Sequence, residues 1–195
     1  MKNNLFIIKF IYFLFLITNL SASNLEVNSS QVKIDKKESK IILKGNVNAK
    51  DENNNHLKAE EAEYSKEKDL LNSIGQTTIL TNENYLLESK NVIFDNKNKN
   101  IKSEFPSKIT DPDGNIITVE MFNYNSLKNI LFSKGEIKLK DKKQNTYKFN
   151  QLYIDEKKKK IIGSDAKIYF NDDGLKADKR NNPRIFANSI SISEG

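Results

Sequence analysis

The chain has 195 residues, enough for one domain with a core of its own. It contains no Cys and a single His, His56, which excludes a disulfide framework, thiolate chemistry and a Cys/His metal site. Charged residues make up 30% of the chain and the formal net charge is +6, while an apolar content of 37% fits an open sheet or groove better than a thick two-sided core.

Residues 1–23 read as a secretory signal peptide, not as part of the fold. Lys2 supplies a positive n-region, Leu5 to Leu20 is a mainly apolar run interrupted at Lys9, and Ser21-Ala22-Ser23 places small residues before a cleavage point. The run is short for a membrane span, and no later segment is apolar enough to cross as a helix. Removing Lys2 and Lys9 leaves 30 basic against 26 acidic residues, a net +4.

Residues 24–195 carry a repeat of about thirty residues. Gly45, Gly75, Pro106, Gly135 and Ala166 recur at spacings of 30, 31, 29 and 31, each inside a strand-like stretch such as Ile41 to Val47 or Ile130 to Ile137. After each anchor comes a pattern of apolar-x-apolar-x-x-apolar-x-apolar. Its copies are Leu57, Ala59, Ala62, Tyr64; then Leu87, Ser89, Val92, Phe94; then Ile117, Val119, Phe122, Tyr124. The fourth is Tyr147, Phe149, Leu152, Ile154, and a fifth, displaced by a longer loop, is Ile185, Ala187, Ile190, Ile192. Only Ser89 breaks the apolar rule. Alternation puts every second side chain on one face of a strand, and the two-residue gap calls for a central bulge that returns the next pair to that face.

Turn signals separate the strands: Asp51 to Asn55, Asp95 to Asn100, Asp111-Pro-Asp-Gly-Asn115, Asp141 to Asn145 and Asn171-Asp-Asp-Gly174. The reading is therefore all-β: about five two-strand repeats, roughly ten strands, in one open antiparallel array.

No constellation for catalysis emerges, and no cofactor is implied. Asp111 to Asn115 lacks the acidic residue a calcium loop needs at its twelfth position, which is Phe122, and reads as a turn. Lys157 to Lys160 falls where other repeats have solvated turns and lacks interleaved aromatics, so nucleic acid is not expected as a partner. His56 sits beside a turn and reads as exposed. Glu60, Glu61 and Glu63 read as an outward polar face, and no phosphate-binding glycine loop exists. The chain does not read as an enzyme.

Lys44-Gly-Asn-Val47 followed by Ala59-Glu-Glu-Ala-Glu-Tyr64 resembles the organic-solvent-tolerance (OstA-like) repeat of the lipopolysaccharide-transport family, with Glu60 in a place where the family motif has Asp. The likeness covers roughly residues 30 to 192. The tail from Asn181 through Ile192 is similar to the link by which LptD-type assembly proteins leave their groove domain, so residues 180–195 are expected to begin a linker toward a missing barrel; the LptA-type bridge is the next choice.

The resemblance implies an open β-jellyroll in the periplasm, associated with the outer membrane. It implies a lipid-binding groove of Leu57, Ala59, Ala62, Tyr64, Leu87, Val92, Phe94, Ile117, Val119, Phe122, Tyr124, Tyr147, Phe149, Leu152 and Ile154. Implied partners are lipopolysaccharide (through lipid A), a homologous periplasmic jellyroll stacked on an edge strand, and an outer-membrane barrel. The alternative with the same period is a structural or adhesive β-solenoid of the cell surface with a filled core. Export is expected to leave Asn24 as the new N-terminus. Mass spectrometry of the exported chain checks this, and an intact segment 1–23 refutes it.

Overall fold

A computed structural model describes residues 25–171 and 184–193. The signal segment and residues 180–183 and 194–195 of the tail lie outside the described residues, whereas residues 184–193 of that tail form a strand of the sheet. Fifteen strands form one antiparallel sheet. They are β1 (Glu26–Asn28), β2 (Gln31–Asp35), β3 (Lys40–Lys50), β4 (His56–Ser65), β5 (Leu70–Leu80), β6 (Leu86–Lys90), β7 (Ile93–Asp95) and β8 (Asn100–Ser103). Then come β9 (Ser107–Thr110), β10 (Ile116–Val119), β11 (Phe122–Asn125), β12 (Ile130–Lys140), β13 (Thr146–Asp155), β14 (Lys160–Tyr169) and β15 (Arg184–Ser193).

Four of the rungs are interrupted. β1 and β2 both pair with β3; β6 and β7 both pair with β5; β9 and β8 pair with them in turn; β10 and β11 both pair with β12. Counting each broken pair once gives eleven rungs, one more than the ten expected, because β1 and β2 add a rung ahead of the first repeat. The path is a meander from β1/β2 to β15, and no pairing joins its two ends.

The interruptions and bulges form a line. Pairing skips between Lys44 and Val47 on β3, between Ala59 and Glu61 on β4, and between Lys134 and Ile137 on β12. Backbone dihedrals give the cause. Gly45, Gly75 and Gly135 have φ of +71°, +78° and +100°, and Asp165 has +51°. A left-handed residue inside a strand stops the alternation and bends it, and glycine takes that conformation without a Cβ clash. These positions place the anchors thirty residues apart. Ala166 therefore sits one residue beyond the left-handed Asp165, and at Pro106 the rung is instead broken between β8 and β9. Left-handed turn residues keep the same count: Ser39, Asp69, Lys99, Asn129 and Lys159 at one side, Asn54, Asn84, Gly114 and Gln144 at the other.

The bends crease the sheet along its middle. The half-strands that end in the turns at 51–55, 81–85, 111–115 and 141–145 make a first leaf. The half-strands that end in the turns near 39, 69, 99, 129 and 159 make a second. Their inward side chains pack into one apolar cluster. Leu57, Ile79, Leu87, Ile109 and Ile117 come from the first leaf, and Leu71, Phe94, Ile101, Tyr124 and Leu131 from the second, all fully buried. Burying a side chain of this size stabilises by roughly 1.5–3 kcal/mol, so the crease closes on a strong driving force.

Small residues line the crease. The Ser73 hydroxyl accepts from the Val92 N–H at 2.7 Å, Ser103 donates to the Lys90 carbonyl at 2.7 Å, and Ser133 donates to the Met121 carbonyl at 2.8 Å. Each serine thus partners a main-chain group near the break in a neighbouring rung, which a buried main chain requires. Ser89, the exception to the apolar pattern, shares a 2.7 Å hydrogen bond with Ser107 and is satisfied in the same way.

Turns on the first leaf repeat one device. The Asp51 carboxylate accepts from the Asn55 N–H and side-chain amide, both at 2.8 Å; Asp111–Asn115 and Asp141–Asn145 do the same. Each Asn oxygen then accepts from the main chain of the next turn: Asn82 on Asn55, Lys142 on Asn115, Asn171 on Asn145. The Asp-Pro-Asp-Gly-Asn segment is one rung of this ladder. His56, expected to be exposed, is half-buried at the start of β4 because its neighbours in the row cover it. Glu61 and Glu63 pair outward with Lys44 and Lys40, both at 3.1 Å.

Gly163 supports the Phe149 ring across the crease, and a Cβ there would lie inside the ring. Gly163→Ala is expected to destabilise by roughly 1–3 kcal/mol. Chemical denaturation checks this. Phe149→Leu in the same chain should recover part of the loss, giving a non-zero coupling in a double-mutant cycle.

Candidate functional site

The candidate site is the interior between the leaves. Of the fifteen groove residues expected from sequence, twelve are buried: Leu57, Ala62, Leu87, Val92, Phe94, Ile117, Val119, Phe122, Tyr124, Phe149, Leu152 and Ile154. Ala59, Tyr64 and Tyr147 are half-buried against the same cluster. All fifteen therefore face one interior. A second set from the intervening strands faces it equally and was not expected: Leu43, Val47, Ala49, Leu71, Ile79, Ile101, Ile109, Leu131, Ile137 and Leu139. These strands bend over three residues, not two, so a search for one spacing passes over them. The thirty-residue period itself would have found them.

The interior is covered in its middle and uncovered at both ends. On β2, Val32 and Ile34 pair with Leu43 and Ile41, continue the inward face, and are 61% and 66% exposed. On β15, Ile185 continues the face and is exposed, with Ile190 and Ile192 half-buried. Near β15 the leaves part into a cleft of about 550 Å³. Leu139 and Tyr147 line it from one leaf, Ile161 and Ile192 from the other, with Lys142 and Lys143 at the rim.

Along the middle, polar groups hold the lips together. Lys99 of the second leaf reaches Glu52 of the first at 2.8 Å. Thirty residues on, the Asn129 amide donates to Glu83 at 3.1 Å. Beside it lies Glu156, only 3% exposed. Its carboxyl accepts from the Tyr124 hydroxyl at 2.9 Å and from Thr81 at 3.4 Å, so it too bridges the leaves. Burial, aided by the nearby Glu83 charge, pushes the Glu156 carboxyl up to about 8. The Tyr124 hydroxyl is also pushed up, by burial first and by Glu156 second. Tyr64, half-buried and donating to Asp69 at 2.9 Å, is raised to about 12 by burial and by that carboxylate.

These contacts tie the two leaves together. No group of metal-ligating side chains occurs among the described residues. No helix long and apolar enough to cross a membrane occurs among the described residues.

No family model matches the chain, and no curated protein matches it significantly. Among solved structures it is similar to the crystal structure of LptH, the LptA-homologous periplasmic component of the conserved lipopolysaccharide transport device from Pseudomonas aeruginosa. The identity is 11% and the TM-score 0.31, over 84% of this chain and 94% of that one.

Glu156 links closure to pH. Its ordinary value is 4.5 and its folded value about 8, so the folded chain holds a proton that the unfolded chain releases. Its contribution is fully present below pH 4.5 and is lost as pH rises through about 8, by about 1.4 kcal/mol per pH unit between them. Denaturation at pH 5 and pH 7.5 should show this loss, and Glu156→Gln should remove it. Equal pH slopes in parent and variant would refute it.

Proposed function

We propose that the chain is a lipopolysaccharide-transport protein of the periplasm, holding the acyl chains of lipid A between the two leaves. The observation that carries this reading is an apolar interior that runs along the whole meander and emerges at both ends. An acyl chain of about a dozen carbons costs roughly 10 kcal/mol to expose to water, so crossing an aqueous compartment needs continuous cover. A creased sheet with an apolar inner face gives that cover without reactive groups. On this reading the leaves part to admit lipid, and the half-buried Tyr64 and Tyr147 are the first interior aromatics it meets.

The end strands fit the partners of this reading. β1/β2 and β15 each leave one edge without a neighbour among the described residues. Such edges accept another strand, so a homologous jellyroll would continue both the sheet and its apolar interior. The chain would serve as an LptD-type groove domain leading to an outer-membrane barrel, or as an LptA-type bridge.

A second reading is favoured by the burial of twelve of the fifteen interior residues: a structural or adhesive β-solenoid whose interior is filled. Photocrosslinking separates the two. A benzophenone amino acid replacing Tyr64 or Tyr147 keeps an aromatic ring at a half-buried position, and each should capture lipopolysaccharide. The same probe at Tyr153, on the outer face, should not. Capture from Tyr153 alone, or from none of the three in a folded chain, removes the conduit and leaves the solenoid. A probe at Val32 or Ile192 is expected to capture a homologous jellyroll. Capture only from mid-chain Ile93 would refute stacking.

A further inference from the structure

The outer faces of the two leaves differ in charge. On the second leaf acids and bases meet as pairs, Lys40–Glu63, Lys44–Glu61 and Lys158–Asp155, at 3.0–3.1 Å. On the first leaf the register sets lysines against lysines. Lys138 of β12 lies opposite Lys148 of β13, which lies opposite Lys167 of β14. Lys140 stands in the next row, and that row ends at Arg184 of β15.

None of these four lysines makes an ion pair among the described residues. The one neighbouring carboxylate in the row, Glu88, is taken by Lys108 at 2.7 Å. Glu136 and Asp165 lie toward the crease, roughly 7 Å along their strands from the lysine row. Like charges directly opposite on adjacent strands repel, so the fold keeps this row against its own stability. An anionic partner would remove the conflict.

Apolar and aromatic side chains frame the same patch. Phe186, opposite Lys167, is 63% exposed, and Ile116, opposite Lys140, is 40% exposed. Tyr169 stacks edge-on against Phe186 at 6.5 Å, with the Arg184 guanidinium 6.0 Å over the Tyr169 ring. Lysines among exposed apolar groups, with an aromatic at the boundary, match a lipid interface, where long cationic side chains reach phosphates while rings sit at headgroup depth. Single-stranded nucleic acid fits less well. It needs free ring faces for stacking bases, and Arg184 already occupies one face of Tyr169.

We propose that the outer face of the first leaf, around Lys138, Lys148 and Lys167, docks the chain on an anionic phospholipid bilayer. Docking uses the outer face and leaves the interior and the unpaired edges of the end strands free. It is independent of the cargo: it holds whether or not the interior carries lipid, and a failed lipopolysaccharide crosslink does not bear on it.

The test is co-sedimentation with vesicles of phosphatidylcholine containing about one third phosphatidylglycerol, against phosphatidylcholine alone. The full chain should prefer the anionic vesicles, and rising salt should weaken that preference. Replacing all three lysines by Thr, which suits a strand, should lower anionic-vesicle affinity roughly a hundredfold, since each lysine near such a surface contributes about fivefold. The control is Lys102→Thr with Lys134→Thr and Lys160→Thr, which removes the same charge from the second leaf and should stay within a few-fold of the parent. Lys148→Thr alone should raise the melting temperature while weakening vesicle binding, because it removes both repulsions in the row. The proposal is overturned by equal binding to both vesicle types, by equal losses in the two triple variants, or by capture of single-stranded DNA through these lysines with no vesicle binding.

Discussion

The structure depends on a backbone bend repeated every thirty residues. A flat sheet of eleven rungs would leave one apolar face in water. Left-handed residues at the centre of β3, β5, β12 and β14 break the pleat, the β8/β9 rung is interrupted at the same height, and the two-residue gap of the intervening strands follows. Every rung then folds at the same height, and the sheet closes on itself along one line. The core, the crease serines and the lips between turns all follow from that alignment. A one-residue slip in any rung would turn its inward set outward on one leaf, which explains why the period from Ser39 to Lys159 is kept without insertion.

The two sides of the crease do different work. At the crease, side chains are small and main-chain groups exposed by the bend find serine hydroxyls. At the lips, long polar side chains meet across the leaves. Hydrophobic closure is non-directional and would tolerate many alignments of one leaf over the other. The Lys99–Glu52 pair and the Glu156–Tyr124–Thr81 group accept only one. Glu156 is fastened there in its neutral form, since a buried carboxylate facing Glu83 is disfavoured. The closure is therefore firm in the middle of the meander. Near β15, the first-leaf turns at 111–115 and 141–145 border an open cleft.

The apolar interior and the row of facing lysines come to the surface where the regular pattern ends. The inward face surfaces at Val32 and Ile34 on one side and at Ile185 on the other, and the unneutralised lysines lie on the outer face over the last rungs. A repeat protein buries its interior by stacking each unit on the next, so its first and last units are the ones left incomplete. Incomplete units are where partners are accommodated, and here one end shows an apolar edge while the other adds a cationic face.

The sequence alone determined the class and the rhythm. Alternating Ile, Val, Tyr and Phe, cut by Asp-, Asn- and Gly-rich turns, admit only strands, and the spacing of Leu57, Ala59, Ala62 and Tyr64 determined both the inward face and the central break. These are local properties of a periodic chain. Tertiary structure decided what depends on distance between repeats. The fifth anchor moved from Ala166 to Asp165 because dihedral angle, not residue type, defines the bend there. The wider bulge of β3, β5 and β12, three residues against two, is likewise a property of the paired backbone. Glu156 meets Thr81 across 75 positions, and Lys138, Lys148 and Lys167 become neighbours only through register. Whether a lysine is solvated or crowded by another lysine depends on which strand lies beside it, and no periodicity within one strand records that.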